Sequence, residues 1–293
     1  VDHKVLESIR RFYPDIPFSK VERLGSGQNN DVWVIDSTFI FRFPKYMEGI
    51  EQIKREAIFL NRIADLVPLQ VPRPLYCGFD SGVVGHAFIG YRKIDGVPLE
   101  AEKLHRIKEV AILRQMAGQL GEFLQGLHRI NPDEYSKGAN AEYDPFLEWR
   151  EMYERIQSKL YGFMKHEACQ WTDRHFTEYL ELDANARITP TLIHGDFGTE
   201  NILYDPESNR VTGIIDFSSV QIGDPAIDYA ALLASYGEGF FQMVMDHNPN
   251  IQGMMERVMF YKGTFALQEA LFGLEHDDPK AFRAGMATVN ELA

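Results

Sequence analysis

The stretch LIHGDFGTENILYD, residues 192–205, followed by GIIDFS, residues 213–218, decides how this chain is read. Apolar Leu192 and Ile193 run into a loop carrying Asp196, and five residues later Asn201 opens the apolar NILY. A second apolar run, VTGII, then delivers Asp216. Each polar residue taken alone reads as a turn former or a strand end. All three in this order, on short apolar strands that a hairpin brings together, match a more specific need. Phosphoryl transfer from a nucleoside triphosphate requires a carboxylate near the acceptor hydroxyl, and hard oxygen ligands for Mg²⁺ ions that bridge the phosphates.

Upstream, FSKVERLG and DVWVIDS flank the connection SGQNN, and TFIFRFP follows, giving three strands in a meander. The segment GIEQIKREAIFLNRIADL carries Ile50, Ile53, Ala57, Leu60 and Ile63 near helical spacing. The prolines of VPRP end that helix, and YCGFD and HAFIGYRKIDG read as two more strands. After KIDGVP the character changes: residues 102–130 form one long helical pattern, and DPFLEWREMYERIQSKLYGFM and TDRHFTEYLELDANA read as further helices. The expected fold is therefore α+β and bilobal. A small lobe, residues 1–94, holds a five-stranded antiparallel sheet and a helix. A connection at about 91–97 joins it to a larger, mostly helical lobe, residues 95–293, which carries the catalytic loop and the substrate site.

The bulk properties narrow the partners. The 293 residues carry a net charge of −13, from 43 acidic and 30 basic side chains. A nucleic acid or an anionic membrane would need a concentrated basic surface, so neither is expected. A cationic small molecule drawn to an acidic cleft is compatible. No apolar run approaches the roughly 18–20 residues that span a bilayer. The start, VDHKVLESIRRFYPD, is amphipathic rather than a basic segment followed by an apolar signal core. A cytoplasmic monomer is the expectation. Cys77 and Cys169 stand far apart with no CxxC partner and read as free thiols.

HGDFGTEN followed by IIDFSSVQIGDPAIDYA resembles the aminoglycoside phosphotransferase family, small-molecule relatives of the protein kinases. That family has the H-G-D-x-x-x-x-N loop, the magnesium aspartate of I-D-F/W, and a D-P-x-x-D segment. The likeness runs on through FRFPK, KREAIFL, YRKIDGVPL and the helical C-terminal part. It implies a protein-kinase-like fold with ATP or GTP between the lobes, Asp196 as catalytic base, and Asn201 and Asp216 as ligands of Mg²⁺. His194 reads as a residue that orients the loop. Asp224 fits a capping position at a proline-containing helix start, and with Asp228 it is implied to support the catalytic loop.

On the nucleotide side, GSGQNN supplies Gly25 and Gly27 but no third glycine, with Asn30 near where one would be sought. Ser26 and Gly27 are expected to approach the phosphates through hydroxyl and backbone amides. Glu56 matches the carboxylate that holds the strand lysine in kinases. Here that lysine is missing. In FIFRFPK, residues 39–45, side chains alternate faces, so Phe39, Phe41 and Phe43 share one face and Ile40 and Arg42 the other. Ile40 and Arg42 match the pair that points into a nucleotide cleft, while Lys45 lies out of phase beyond Pro44. Arg42 is thus assigned the lysine's role, paired with Glu56 and presenting a fork of donors to phosphate. The connection GYRKIDG resembles the hinge that binds the purine edge, near Arg92 and Ile94. Tyr91 is bulky at the gatekeeping position, which leaves GTP open beside ATP.

For the acceptor, the resemblance points to an aminoglycoside first, with Glu238 and Glu269 in segments expected to line the cleft beside Asp196. FIFRFPK and KIDGVPL look most like aminoglycoside 2''-phosphotransferases, whereas GDPAIDYAALL and FALQEALFGL also look like macrolide phosphotransferases. Phe240, Phe241, Phe260, Tyr261, Phe265 and Phe272 suit either a macrolide cleft or a helix core. The alternatives are a macrolide 2'-phosphotransferase, a kinase of a small housekeeping metabolite, and a kinase-like module that holds nucleotide without transferring phosphate. Retention of Asp196, Asn201 and Asp216 argues against the last.

Overall fold

The computed structural model describes residues 2–26, 30–79, 83–132, 144–181 and 188–291. The chain begins with α1 (Asp2–Phe12), β1 (Val21–Ser26), β2 (Asn30–Ile35), β3 (Phe39–Pro44) and α2 (Met47–Ile63). Next come β4 (Pro74–Gly78), β5 (Phe88–Arg92), β6 (Val97–Pro98), α3 (Ala101–Arg106), α4 (Val110–His128), α5 (Pro145–Leu160) and α6 (His166–Leu180). The last third holds β7 (Thr191–Ile193), β8 (Ile202–Asp205), β9 (Arg210–Ile214), β10 (Gln221–Gly223), α7 (Ala226–His247), α8 (Met255–Glu275) and α9 (Pro279–Val289). Among the described residues no helix is long and apolar enough to cross a membrane. The chain divides into two compact units, residues 1–127 with 198–220, and residues 128–197 with 221–293. These units are cut by contacts and do not follow the expected lobe boundary at 94/95, which we retain as a proposal for the functional lobes.

In the first unit, five antiparallel strands lie in the order β1-β2-β3-β5-β4. Strand alternation in β3 sorts the core into two faces. Phe41 and Phe43 join Val5, Ile9, Phe18, Trp33, Ile35 and Phe88 on the side covered by α1. Ile40 joins Val34, Ile89 and Tyr91 on the other side, against Ile53 and Ala57 of α2. The apolar stripe of α2 read from the sequence is buried in full: Ile50, Ile53, Ala57, Leu60 and Ile63. A second small sheet, in the order β6-β8-β9, completes this unit. Gln119 of α4 pins it, donating from Nε2 to the Val211 carbonyl (3.0 Å) and accepting from the Val211 amide at Oε1 (3.1 Å).

The long helical pattern at 102–130 is broken. Ile107 takes extended backbone (φ −72°, ψ 118°) and ends α3, and α4 starts at Val110. No glycine or proline marks the break in the sequence, because it arises in the backbone of an ordinary residue.

In the second unit, Asp144 caps α5 by accepting from the amides of Phe146 and Leu147, and Asp278 caps α9 in the same way. Aromatic rings of α5, α6 and α8 fill its core, with Trp149 edge-on to Phe260 and Tyr179 stacked on Phe260. Of the six late aromatics, Phe240, Phe241, Phe260 and Tyr261 are buried in this helix core, while Phe265 and Phe272 are half-buried. Helix α7 is interrupted at Gly237 (φ 77°, ψ 174°), a backbone region open essentially to glycine alone.

Candidate active site

The first unit holds a cavity of about 750 Å³, a volume typical of small-molecule sites. Its apolar lining comes from Leu24, Val32 and Ile40 of the large sheet and from Ile94, Leu203 and Ile215. Its polar lining includes Arg42, Asp216, Lys93, Glu100 and Glu200. The apolar walls suit a flat ring, and the charged lining, two cations and three carboxylates, suits phosphates that arrive with metal cations.

Arg42 is the centre of that charge. It is buried on β3, and its Nη1 donates to Glu56 of α2, itself buried. Its Nη2 donates to Asp216 Oδ1 at 3.3 Å. Burial works against the guanidinium's charge, but Glu56, the Tyr91 hydroxyl and Asp216 outweigh it and hold the pKa above its ordinary value. Burial also pushes the Glu56 carboxyl up, against the pull of Arg42. The Tyr91 phenol, buried beside this pair, is pushed up to about 12, so it stays a neutral donor. Lys45, beyond the strand, is half-buried, and it is not among the residues that line the cavity.

Asp216 ends the β9 run in left-handed backbone (φ 57°, ψ 77°), a conformation costly for a residue other than glycine and concentrated at functional positions. Its side chain accepts from the Ser218 amide (3.4 Å). The turn it opens is tied to α2, where Gln52 Nε2 donates to the Ser218 carbonyl (2.8 Å) and Phe59 meets Phe217. Asn201 lies alongside, since the Ile215 amide donates to its carbonyl (2.9 Å) and its own amide donates to Gly198 (3.1 Å). Among the described residues no group of three or more His, Cys, Asp or Glu is arranged to hold a metal. Asp216 and Asn201 carry one carboxylate and one amide oxygen, the ligand types that suit Mg²⁺, which keeps several waters and takes further ligands from substrate phosphates.

The hinge segment offers backbone rather than side chains. The Lys93 amide donates to the Thr38 carbonyl (2.8 Å), whereas among the described residues none pairs with the amide or carbonyl of buried Ile94. A buried, unpaired donor and acceptor beside a cavity invite a ligand edge. The Arg92 side chain turns away and sits over the Phe39 ring. Gly25 lines the cavity; Gly27 lies outside the described residues, as do the particulars of the Ser26 side chain.

The loop carrying Asp196 belongs to the second unit. Asp228 of α7 is fully buried and gathers that loop: Oδ2 accepts from the His194 amide and Oδ1 from the Gly195 amide, both at 2.9 Å. Gly195 takes φ +78°, which glycine adopts without a Cβ penalty. His128, at the end of α4, reaches Asp228 Oδ2 through Nε2 (2.9 Å). Burial opposes the Asp228 charge, yet His128 and the loop amides outweigh it and hold this carboxyl below the usual range. His194 is buried, and its Nδ1 accepts from the Asp196 amide (3.3 Å), which puts its proton on Nε2. Asp196 itself is exposed.

Asp224 sits one residue further from the helix than a standard cap, because α7 starts at Ala226 with Pro225 in the cap position. Its Oδ1 still accepts from the Ala226 amide, and Arg257 and Tyr261 of α8 both donate to Oδ2. Glu238 and Glu269 are both exposed. Glu238 directly follows the Gly237 break, and Glu269 lies on α8. Sequence reasoning missed His128, whose only signal was a histidine closing an apolar helix. It also passed over Glu200, which stands between Asp196 and Asn201.

Against known proteins, the sequence pattern of the Phosphotransferase enzyme family matches residues 20–256. The chain belongs to this family. Viomycin phosphotransferase of Streptomyces vinaceus is 31% identical over 87% of this chain and 88% of its own length. The GDP and kanamycin complex of APH(2")-IIIa is 27% identical, covers 98% of this chain and 97% of its own, and superposes with a TM-score of 0.86. Macrolide 2'-phosphotransferase MphH of Brachybacterium faecium, at 16% identity and a TM-score of 0.74, covers 99% of this chain and 98% of its own and shares the fold. This phosphotransferase is therefore a small-molecule kinase of the kinase-like fold, similar to proteins that are antibiotic phosphotransferases, and the reading as a nucleotide-holding module is set aside.

Proposed function

We propose that this phosphotransferase, as a cytoplasmic monomer, moves the γ-phosphate of ATP or GTP to a hydroxyl of an antibiotic, an aminoglycoside in the first instance. The observation that carries the reading is the buried Arg42–Glu56 pair with Asp216, facing an apolar cavity of about 750 Å³. Ile94 would offer its free amide and carbonyl to the purine edge, and Leu24, Val32 and Leu203 would sandwich the ring. Ser26 and the Gly25–Gly27 backbone would approach the phosphates, with Arg42 gripping them and Glu56 holding Arg42 in place. Tyr91 would narrow the base pocket, which keeps GTP in play. Asn201 and Asp216 would hold Mg²⁺, which when bound offsets charge on the triphosphate. Asp196 would accept a hydrogen bond from the acceptor hydroxyl and take its proton as transfer proceeds.

The acidic composition supports a cationic acceptor. Residues 128–197 and 221–293 hold 23 acidic and 12 basic residues, so this unit carries −11 of the net −13. Glu238 and Glu269 would meet ammonium groups of the acceptor. The 31% identity to viomycin phosphotransferase favours viomycin as the second candidate; the macrolide reading rests on the fold alone.

Nucleotide consumption measured in parallel with kanamycin, viomycin, a macrolide and common metabolites tests the acceptor. Stimulation by kanamycin is expected, and stimulation by a macrolide alone would overturn the aminoglycoside assignment. Asp196→Ala should lower kcat by about 10²–10⁴-fold with an unchanged thermal melt. A variant that keeps its turnover would remove Asp196 from the mechanism.

A further inference from the structure

The arginine in the lysine's place does more than carry the same charge. Its two terminal nitrogens go to two different carboxylates: Nη1 to Glu56 and Nη2 to Asp216. A lysine has three donors but carries them all on one nitrogen, so it cannot set two of them as far apart as the two terminal nitrogens of this fork.

The two contacts are unequal. The Glu56 side is sealed, with both side chains at 6% exposure or less, whereas the Asp216 side chain is 46% exposed and its contact is the longer, at 3.3 Å. A buried, hydrogen-bonded ion pair is costly to break, while a half-exposed contact is worth little. When another anion competes for Arg42, the Asp216 contact is the one released. Release would not unfold the turn, because Gln52 and the Phe59–Phe217 contact tie it to α2 independently of Arg42.

We propose that Arg42 is the internal counter-ion of Asp216, occupying in the nucleotide-free protein the carboxylate that a divalent cation would use. Phosphate oxygens then draw the free arm of the guanidinium away and hand Asp216 to the metal. The consequence is an ordered site: the protein alone binds divalent cations weakly, and nucleotide is what opens Asp216 to them. This rests on the proposed role of Asp216 as a metal ligand.

The test is Mn²⁺ binding followed by electron paramagnetic resonance of free Mn²⁺, with no turnover involved. Wild type should bind Mn²⁺ weakly alone and tightly with ADP or GDP. Arg42→Lys, which keeps a cation for Glu56 but loses the second arm, should bind Mn²⁺ without nucleotide about tenfold more tightly. Adding Asp216→Asn should abolish that gain. Should Arg42→Lys not fold, Arg42→Met combined with Glu56→Gln removes the buried pair together and should show the same gain. A folded variant with no gain, or a gain that survives Asp216→Asn, overturns the proposal. Wild type that takes up no Mn²⁺ even with nucleotide overturns the metal role of Asp216 itself, a separate failure.

Discussion

Arg42 and Lys45 stand three residues apart, and only the alternation of a strand separates them by role. Arg42→Ala should raise the KM for nucleotide roughly ten- to a hundredfold, the loss of charged hydrogen bonds to phosphate. Lys45→Ala should raise it far less, and steady-state kinetics giving the reverse order would return the role to Lys45. That Arg42 rather than Lys45 lines the cavity was legible because β3 keeps a strict period of two between Phe39 and Phe43, with the phenylalanines on one face and Ile40 with Arg42 on the other. The partner of Arg42 in Glu56 lies only 14 residues away and was legible by resemblance. Its contact with Asp216, 174 residues on, was not, since nothing local in either stretch encodes their meeting. His128 was hidden for the same reason, 100 residues from Asp228.

Helix α7 presents one carboxylate, Asp228, to the backbone of the loop ahead of Asp196, so the loop's shape depends on a group on another element. The Asp228 carboxyl is held below its unfolded value of about 3.9, so the unfolded chain binds more protons at acid pH. The stability it contributes is complete above about pH 4 and is lost as pH falls through the lower folded value. Asp228→Asn should cost roughly 1–3 kcal/mol at neutral pH, and its urea-unfolding free energy should fall less steeply than wild type between about pH 5 and 3. Parallel pH profiles for the two proteins would discard this role. Elements with strong periodicity, such as α2 and the five strands, were readable at once. The α3–α4 break was not, because Ile107 carries no turn chemistry, and the interruption of α7 had only Gly237 to announce it.

At the scale of the whole molecule, the excess of acid in the unit that carries Asp196 sets an electrostatic expectation. For a polycationic acceptor the KM should rise several-fold as ionic strength goes from low to high, because screening shortens the reach of exposed charge. The dependence should be steeper than for the nucleotide, whose proposed grip is the buried Arg42. A salt-independent acceptor KM would favour an uncharged substrate. Net charge was readable from composition, but its concentration in one unit required knowing which residues group together.

That grouping bears on how the protein is made. The chain crosses between the units three times, at 127/128, 197/198 and 220/221. Neither unit is a continuous ribbon, so on the ribosome the five-stranded sheet emerges early while β8, β9 and Asp216 are still unsynthesised. At about 5–20 residues per second, the segment between them keeps the half-built unit waiting for several seconds. During that interval Arg42 and Glu56 can meet, but Asp216, the third member of their cluster, does not yet exist.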